Sequence, residues 1–319
     1  MRYDAFNGDA DGICALHQLR LAEPADAMLI TGVKRDIGLL KQIDAQAGDE
    51  ILALDIAVEK NLALLQAALA KGVKVRWFDH HNPGELPVHP NFHATIDTSA
   101  NVCTSLLVDR HLAGAHRAWA VAAAFGDNLH DAARRAAETL GLSAGKLDDL
   151  CELGECLNYN GYGECLEDLH FHPADLYRAL RPYADPFAFI REAPEFHVLR
   201  SGYALDMAQA RAVPAAEVRE SGAVYFLPDE AWARRVSGVY ANELASGQPG
   251  RAHALLTRSS KGHYVVSVRA PLVNRSGADE LCGQFETGGG RKSAAGINVL
   301  PEARIADFIS AFYRAYPGY

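Results

Sequence analysis

Four polar clusters in this chain combine residue types and spacing that could do chemistry. Asn7-Gly8-Asp9-Ala10-Asp11-Gly12 places a D-x-D on a tight, glycine-flanked turn, so Asp9 and Asp11 can reach toward one point. A lone D-x-D is more often a solvated turn whose aspartate caps the next helix. Asp55 ends the apolar run Ile51-Leu52-Ala53-Leu54, where a single aspartate is commonly just a helix cap. Asp79-His80-His81-Asn82-Pro83 follows another apolar run, and imidazole beside carboxylate suits Mn²⁺, Fe or Zn²⁺. Asp127, after Gly126, reads alone as a helix end. Together the clusters are more specific. Asp9, Asp11, Asp55, His80 and Asp127 fall at successive element ends. Five or six oxygen and nitrogen ligands are what a two-metal hydrolytic site requires, with one carboxylate bridging cations about 3.5–4 Å apart.

Elements of the right kind exist to position these groups. Short strands are expected over 3–6, 27–30, 50–56 and 73–78, alternating with helices over 12–21, 37–45 and 59–70. That alternation predicts a parallel sheet wrapped on both faces, with ligands at the carboxyl ends of its strands. Residues 101–180 read as helical until Arg181-Pro182-Tyr183-Ala184-Asp185-Pro186 interrupts them. Strands over 223–227, 253–257 and 264–269, then an amphipathic helix over 304–316, predict a second, smaller α/β domain. The expected fold is α/β: an N-terminal parallel-sheet domain with a helical connector over 1–185, and a C-terminal domain over 195–319.

Composition bounds the function. Of 319 residues, 49% are hydrophobic and 22% charged, which excludes disorder as the main state. Lys plus Arg number 31 against 40 Asp plus Glu, a balance of −9. That sign argues against a chain coating long duplex DNA and for a local cationic grip on a short substrate. No targeting segment and no apolar run near the ~20 residues of a membrane span is present, so a cytoplasmic, reduced protein is expected. Cys151, Cys156 and Cys165 are unevenly spaced and read as buried thiols, not a zinc site. Asn158-Tyr159-Asn160-Gly161-Tyr162-Gly163 could stack a base or could equally be a packed turn. Gly288-Gly289-Gly290 before Arg291-Lys292 reads as a backbone cradle for phosphate, because an apolar run resumes at once. Neither a P-loop nor a dinucleotide-binding G-x-G-x-x-G is present.

The D-A-D-G turn, Asp55, Asp79-His80-His81 and Asp127 resemble the four motifs of the DHH phosphoesterase superfamily. It includes RecJ-type exonucleases, nano-RNases, cyclic-dinucleotide phosphodiesterases, exopolyphosphatases and family II inorganic pyrophosphatases. Ser267-Val268-Arg269, Ala278-Asp279-Glu280-Leu281 and the stretch from Gly288 to Gly296 are similar to the substrate-binding domain that accompanies these motifs in one subfamily. The resemblance spans nearly the whole chain, in order. It implies two divalent cations, Mn²⁺ in preference to Mg²⁺, with Asp9 on the first, Asp11 on the second and Asp55 between them. His80 and Asp127 would complete the second site, His81 would contact the scissile phosphate, and Asp79 would fix an imidazole tautomer. Arg269, Arg275, Gly288, Gly289, Gly290, Arg291 and Lys292 would hold remote phosphates. The implied reaction is in-line hydrolysis of a dinucleotide or short oligonucleotide to mononucleotides, without a covalent enzyme intermediate. Linear products of cyclic-dinucleotide breakdown are a subset. A phosphatase of polyphosphate or of a 3′-phosphorylated nucleotide, and a catalytically silent nucleotide sensor, are the alternatives; a homodimer is left open.

Two positions depart from the superfamily pattern. Ala5 stands where the pyrophosphatase and nano-RNase types carry a histidine, and Asn7 stands where RecJ types carry an acid. The first cation is thus expected to lean on water, Asn7 or substrate oxygens. Arg291 replaces a histidine in the Gly-rich segment, exchanging a titratable group for a fixed, forked cation.

Overall fold

A computed structural model describes residues 1–317, which form two compact units divided between Gly202 and Tyr203. The first contains strands β1 (Arg2–Phe6), β2 (Met28–Ile30), β3 (Glu50–Leu54), β4 (Lys74–Asp79) and β5 (Phe92–Ile96). All pair in parallel, in the order β2-β1-β3-β4-β5. Helices α1 (Ala10–Ala22) and α2 (Val58–Ala70) are the early crossovers. The apolar runs are continuous rather than alternating because the central strands are buried on both sides. Ala5, Ala53, Val75 and Trp77 pack with Leu65 and Leu69 of α2. The chain leaves β1 toward β2 and then returns to add β3 on the other side. The crevice at the carboxyl ends of β1 and β3 is therefore the switch point where open α/β sheets bind ligands.

Two expectations for this unit need correction. The helix expected over 37–45 is only a 3₁₀ turn, Leu39–Gln42. Leu39 and Leu40 are buried, and Asn61 of α2 takes up the local backbone. Its Oδ1 accepts from the Leu40 N–H (3.1 Å) and its amide donates to the Ile37 carbonyl (2.7 Å). The edge strand β5 was not anticipated; Phe92–Ile96 is largely exposed and lacks a core-facing pattern.

The helical connector comprises α3 (Thr104–His111), α4 (Arg117–Gly126), α5 (His130–Ala137), α6 (Ala144–Gly161), α7 (Pro173–Leu180) and α8 (Pro186–Glu192). Helix α9 (Pro194–Ala212) runs across the division between the units. The proline-rich break separates α7 from α8, with Pro186 in the first turn of α8 and the Asp185 side chain capping it. Helices α4 and α6 cross so closely that a Cβ on Gly154 would lie 1.9 Å from the Ala122 carbonyl oxygen. Of the three clustered cysteines Cys156 is buried, Cys151 partly so, and Cys165 exposed rather than buried. No described helix is long and apolar enough to cross a membrane.

His17 of α1 is fully enclosed, edge-on to Trp119, and its Nε2–H donates to the Tyr183 carbonyl (2.8 Å). Burial pushes this imidazole down to about 4. The unfolded chain takes up a proton near 6.5, so between these values it binds more protons than the fold, and stability falls as pH drops through that window. The loss should reach roughly 3 kcal/mol at 1.36 kcal/mol per pH unit. Urea midpoints for the wild type and His17→Gln should converge between pH 7 and 4.5; a constant gap would refute the neutral, buried assignment.

The second unit, described from Tyr203 to residue 317, adds β6 (Glu217–Val218), β7 (Gly222–Leu227), α10 (Ala231–Gly247), β8 (Ala252–Arg258) and β9 (His263–Arg269). Then come α11 (Ala278–Cys282), β10 (Gly288–Arg291), β11 (Ala294–Pro301) and α12 (Ile305–Ala315). The sheet order is β10-β11-β9-β8-β7-β6, parallel only between β7 and β8. Val266, Val268, Ile297, Phe308 and Phe312 centre its core. The Gly-rich segment is not a loop. Gly288, Gly289, Gly290 and Arg291 pair antiparallel with Ile297, Gly296, Ala295 and Ala294 as an edge hairpin. A Cβ on Gly288 would lie 1.9 Å from the Cys282 carbonyl oxygen, so glycine there serves close packing.

Candidate metal centre

The expected residues of the first unit converge on the switch point. Asp9 follows β1, Asp55 follows β3, and Asp79 ends β4 just before His80 and His81. Asp11 lies in the first turn of α1, and Asp127 follows α4. The bland reading fails for Asp55. Helix α2 starts at Val58 behind a cap at Ala57, so Asp55 caps nothing. Its backbone sits at φ 57°, the left-handed region a non-glycine residue enters at a cost, most often at functional sites. Asp127 does end a helix, as the C-cap of α4. For Asp9 the cap reading is correct: its Oδ1 accepts from the N–H groups of Asp11 (3.0 Å) and Gly12 (3.1 Å).

Around Asp55 the ligand atoms cluster. His80 Nε2 is 3.4 Å from Asp55 Oδ1 and 3.9 Å from Asp127 Oδ2, and His81 Nδ1 is 3.9 Å from Asp55 Oδ1. Asp55, His80 and His81 form one set whose ligand atoms all lie within 4.8 Å of one another, and Asp11, His80 and Asp127 form a second. His81 Nδ1–H donates to Asp79 Oδ1 at 2.7 Å, which leaves the other ring nitrogen with its lone pair. The remaining Asp79 oxygen is buried without a partner. Thr104 donates its hydroxyl to Asp55 Oδ1 (3.1 Å), and the Thr104 and Ser105 N–H groups at the start of α3 both bond the Asp11 carboxylate at 2.7 Å. An imidazole–carboxylate set of this kind fits a divalent transition ion.

The electrostatics ask for a cation. Burial, then the negative charges of Asp11, Asp9, Asp127 and Asp79, pushes the Asp55 carboxyl well above its ordinary range. Burial also raises Asp127, against the pull of Lys34. Burial alone would lower His81, but the bond to Asp79 and the surrounding carboxylates raise it.

One residue at this cluster was not among those expected. Lys34, on the segment after β2, places Nζ 2.6 Å from Asp9 Oδ2, 3.5 Å from Asp127 Oδ1 and 2.9 Å from Asn158 Oδ1. Burial would lower this ammonium, but Asp9 foremost, then Tyr162 and Asp127, holds it well above the usual lysine value. The Asn158–Gly163 stretch builds this corner. Gly161 accepts the Lys34 N–H (2.8 Å), Asn160 is pinned to the Phe171 backbone, and the Tyr162 ring lies 5.4 Å from Nζ. Asn7 donates its amide to the Lys34 carbonyl (3.3 Å), holding the same segment.

In the second unit the expected cations differ in freedom. Arg269 bonds Asn242 (2.6 Å) and the carbonyls of Val268 and Gly238. Arg275, at φ 52°, donates to the Leu272 carbonyl. Arg291 and Lys292 are exposed at the tip of the β10–β11 hairpin, and no described residue forms an ion pair with either.

No family model and no curated protein matches the sequence. Solved structures do match the fold. RecJ in complex with Mn²⁺ from Thermus thermophilus superposes with a TM-score of 0.67 at 20% identity, over 99% of this chain and 52% of that one. This chain thus spans about half the length of that RecJ. An exonuclease RecJ bound to manganese gives 0.63 at 19% identity, over 97% of this chain and 88% of that one. The pGpG-specific phosphodiesterase PggH from Vibrio cholerae gives 0.55 at 15%, over 98% and 97%. The fold reached through the parallel sheet and the mixed second sheet is therefore the one built by RecJ, of the DHH superfamily, and by PggH.

Proposed function

We propose that the chain is a divalent-metal-dependent phosphodiesterase that cleaves dinucleotides or short oligonucleotides to mononucleotides. The observation that carries this is the convergence of Asp11, Asp55, His80, His81 and Asp127 at the switch point, with Asp55 buried among like charges. Asp11, Asp55, His80 and Asp127 would hold the ion, with His81 beside them. A divalent ion bound there lowers the pKa of a water and draws charge from phosphoryl oxygens. Thr104 keeps the Asp55 carboxylate oriented, and Asp79 fixes the His81 ring. His81 has the most exposed side chain of the cluster at 39%, against 18% for His80 and 3% for Asp55, which suits a contact to the scissile phosphate. Arg291 and Lys292 supply uncommitted cations for a remote phosphate. The net charge of −9 and the fold shared with a pGpG-specific enzyme support a short substrate.

The test is a panel of pGpG-type dinucleotides, short RNAs, cyclic dinucleotides, pAp and polyphosphate with Mn²⁺ or Mg²⁺. Mononucleotide release from dinucleotides is expected. Phosphate release from pAp or polyphosphate alone would replace the diesterase reading, and binding without turnover of anything would refute an enzyme. Arg291→Ala should raise KM by on the order of tenfold to hundredfold, the roughly 1.5–3 kcal/mol of a hydrogen bond to a charged group, while kcat stays near wild type. A lost kcat at unchanged KM would contradict the remote-phosphate role.

A further inference from the structure

We propose that Lys34 takes the place of one of the two divalent cations, so that each chain holds a single divalent ion beside a fixed ammonium. The proposal rests on the reading that the Asp55 cluster binds a divalent ion, and it concerns only how many.

An ammonium has three N–H groups and no acceptor, and Lys34 Nζ meets three oxygens: Asp9 at 2.6 Å, Asn158 at 2.9 Å and Asp127 at 3.5 Å. The lysine engages the Asp9 oxygen that the backbone leaves open. Asp9 Oδ1 accepts two backbone N–H groups at the start of α1, and Oδ2 faces the lysine. Asp9 also stands outside both sets of clustered ligand atoms, whereas Asp11, Asp55, His80, His81 and Asp127 belong to them. Asp127 is divided between the two charges, with Oδ1 toward Lys34 and Oδ2 toward His80.

The lysine is held in place, not merely near. Its N–H bonds the Gly161 carbonyl at the end of α6, and its carbonyl accepts from Asn7 at the end of β1. A Cβ on Gly161 would lie 3.0 Å from the Asp9 Cβ, so this corner leaves little room. Beside Asp9, Ala5 is apolar and wholly buried in β1, and Asn7 donates its amide to the Lys34 carbonyl, so its buried, unpartnered Oδ1 is a further side-chain oxygen near β1's end. A divalent ion on Asp9 Oδ2 would have to share that oxygen with a positive charge already at hydrogen-bond distance, and like charges in a buried, low-dielectric corner exclude one another. The lysine thereby supplies positive charge beside Asp9 without a metal, and the superfamily's two-ion arrangement is reduced to one.

The test is metal stoichiometry on the full chain, independent of turnover. Mn²⁺ titration should end at one ion per chain by elemental analysis after equilibrium dialysis, with an uncoupled six-line electron paramagnetic resonance spectrum. Lys34→Ala frees Asp9, Asp127 and Asn158, so it should take up a second Mn²⁺, and spin coupling between the ions should appear. Two coupled ions in the wild type would overturn the proposal while leaving the metal-site reading intact. No bound Mn²⁺ at all would remove both. A folded Lys34→Ala chain that still holds one ion would show that the lysine occupies no cation position, and would also overturn it. The wild-type count decides even if the variant does not fold.

Discussion

Asp55→Asn should lower turnover by on the order of a thousandfold while making the metal-free protein more stable. The loss follows from removing the charged oxygen around which the ligand atoms gather; metal contributions to charge stabilisation run to several kcal/mol, and each 1.36 kcal/mol is about tenfold. The gain follows from the same electrostatics. Buried among Asp11, Asp9, Asp127 and Asp79, the ionised carboxylate opposes folding whenever no cation is present. Asparagine keeps an oxygen for the Thr104 hydroxyl, removes the charge, and enters the left-handed region at φ 57° as readily as any non-glycine residue. A gain of about 1–2 kcal/mol, or roughly 2–8 °C for a unit of this size, is expected. Because the folded-state carboxyl titrates above its unfolded value near 3.9, the wild type's penalty is present at high pH and fades as pH falls. The stability gap between the two proteins should close in acid. A turnover assay checks the first, and calorimetry across pH with and without Mn²⁺ the others: the ion should raise the wild-type midpoint and move the variant little. Substantial activity in the variant, or a lower metal-free midpoint, would contradict the assignment.

Gly154→Ala should destabilise the first unit by about 3 kcal/mol, the upper end of overpacking, or some 6–12 °C in Tm. The added methyl would meet the Ala122 oxygen at 1.9 Å and the Gly126 nitrogen at 2.8 Å, both main-chain atoms that no rotamer change can clear. Relief requires α4 and α6 to separate. Asp127 follows α4 directly and Asn158 lies one turn beyond Gly154, so Asp127 and the Lys34 corner should be disturbed along with stability. Gly145→Ala, near the start of α6 with nothing within 4 Å, is the control and should be neutral or stabilising by up to about 1 kcal/mol. Equal melting temperatures for the two variants would mean the crossing is looser than described.

The site was legible where chemistry-bearing residues coincide with strand ends. Asp9, Asp55 and His80 each follow a short apolar run, and a parallel sheet brings such ends to one edge. Lys34 was not legible because its environment is non-local. In Val33-Lys34-Arg35-Asp36, after a three-residue strand, it reads as one solvated charge among others. Its oxygens come from Asp127 and Asn158 on distant helices, which local pattern cannot show. The turn at Leu39–Gln42 was misread for a related reason: two buried leucines mimic a helical face, while Asn61 claims the backbone groups a helix would use. The strand at Gly288–Arg291 was not anticipated because glycine-rich edge strands lack the side chains by which strands are recognised.

The separation of Lys34 from its partners bears on how the protein is made. On the ribosome, Lys34 emerges 124 residues before Asn158, roughly 6–25 s at synthesis rates of about 5–20 residues per second. During that interval Lys34 lacks the Asn158 oxygen that shares its ammonium, and α6, which closes the Lys34 corner, is incomplete. Non-local closure of this kind is slow, and its entropy is recovered only when the last contact forms. Chains stalled before residue 161 should therefore be digested readily by protease, with resistance appearing once the end of α6 has cleared the exit tunnel.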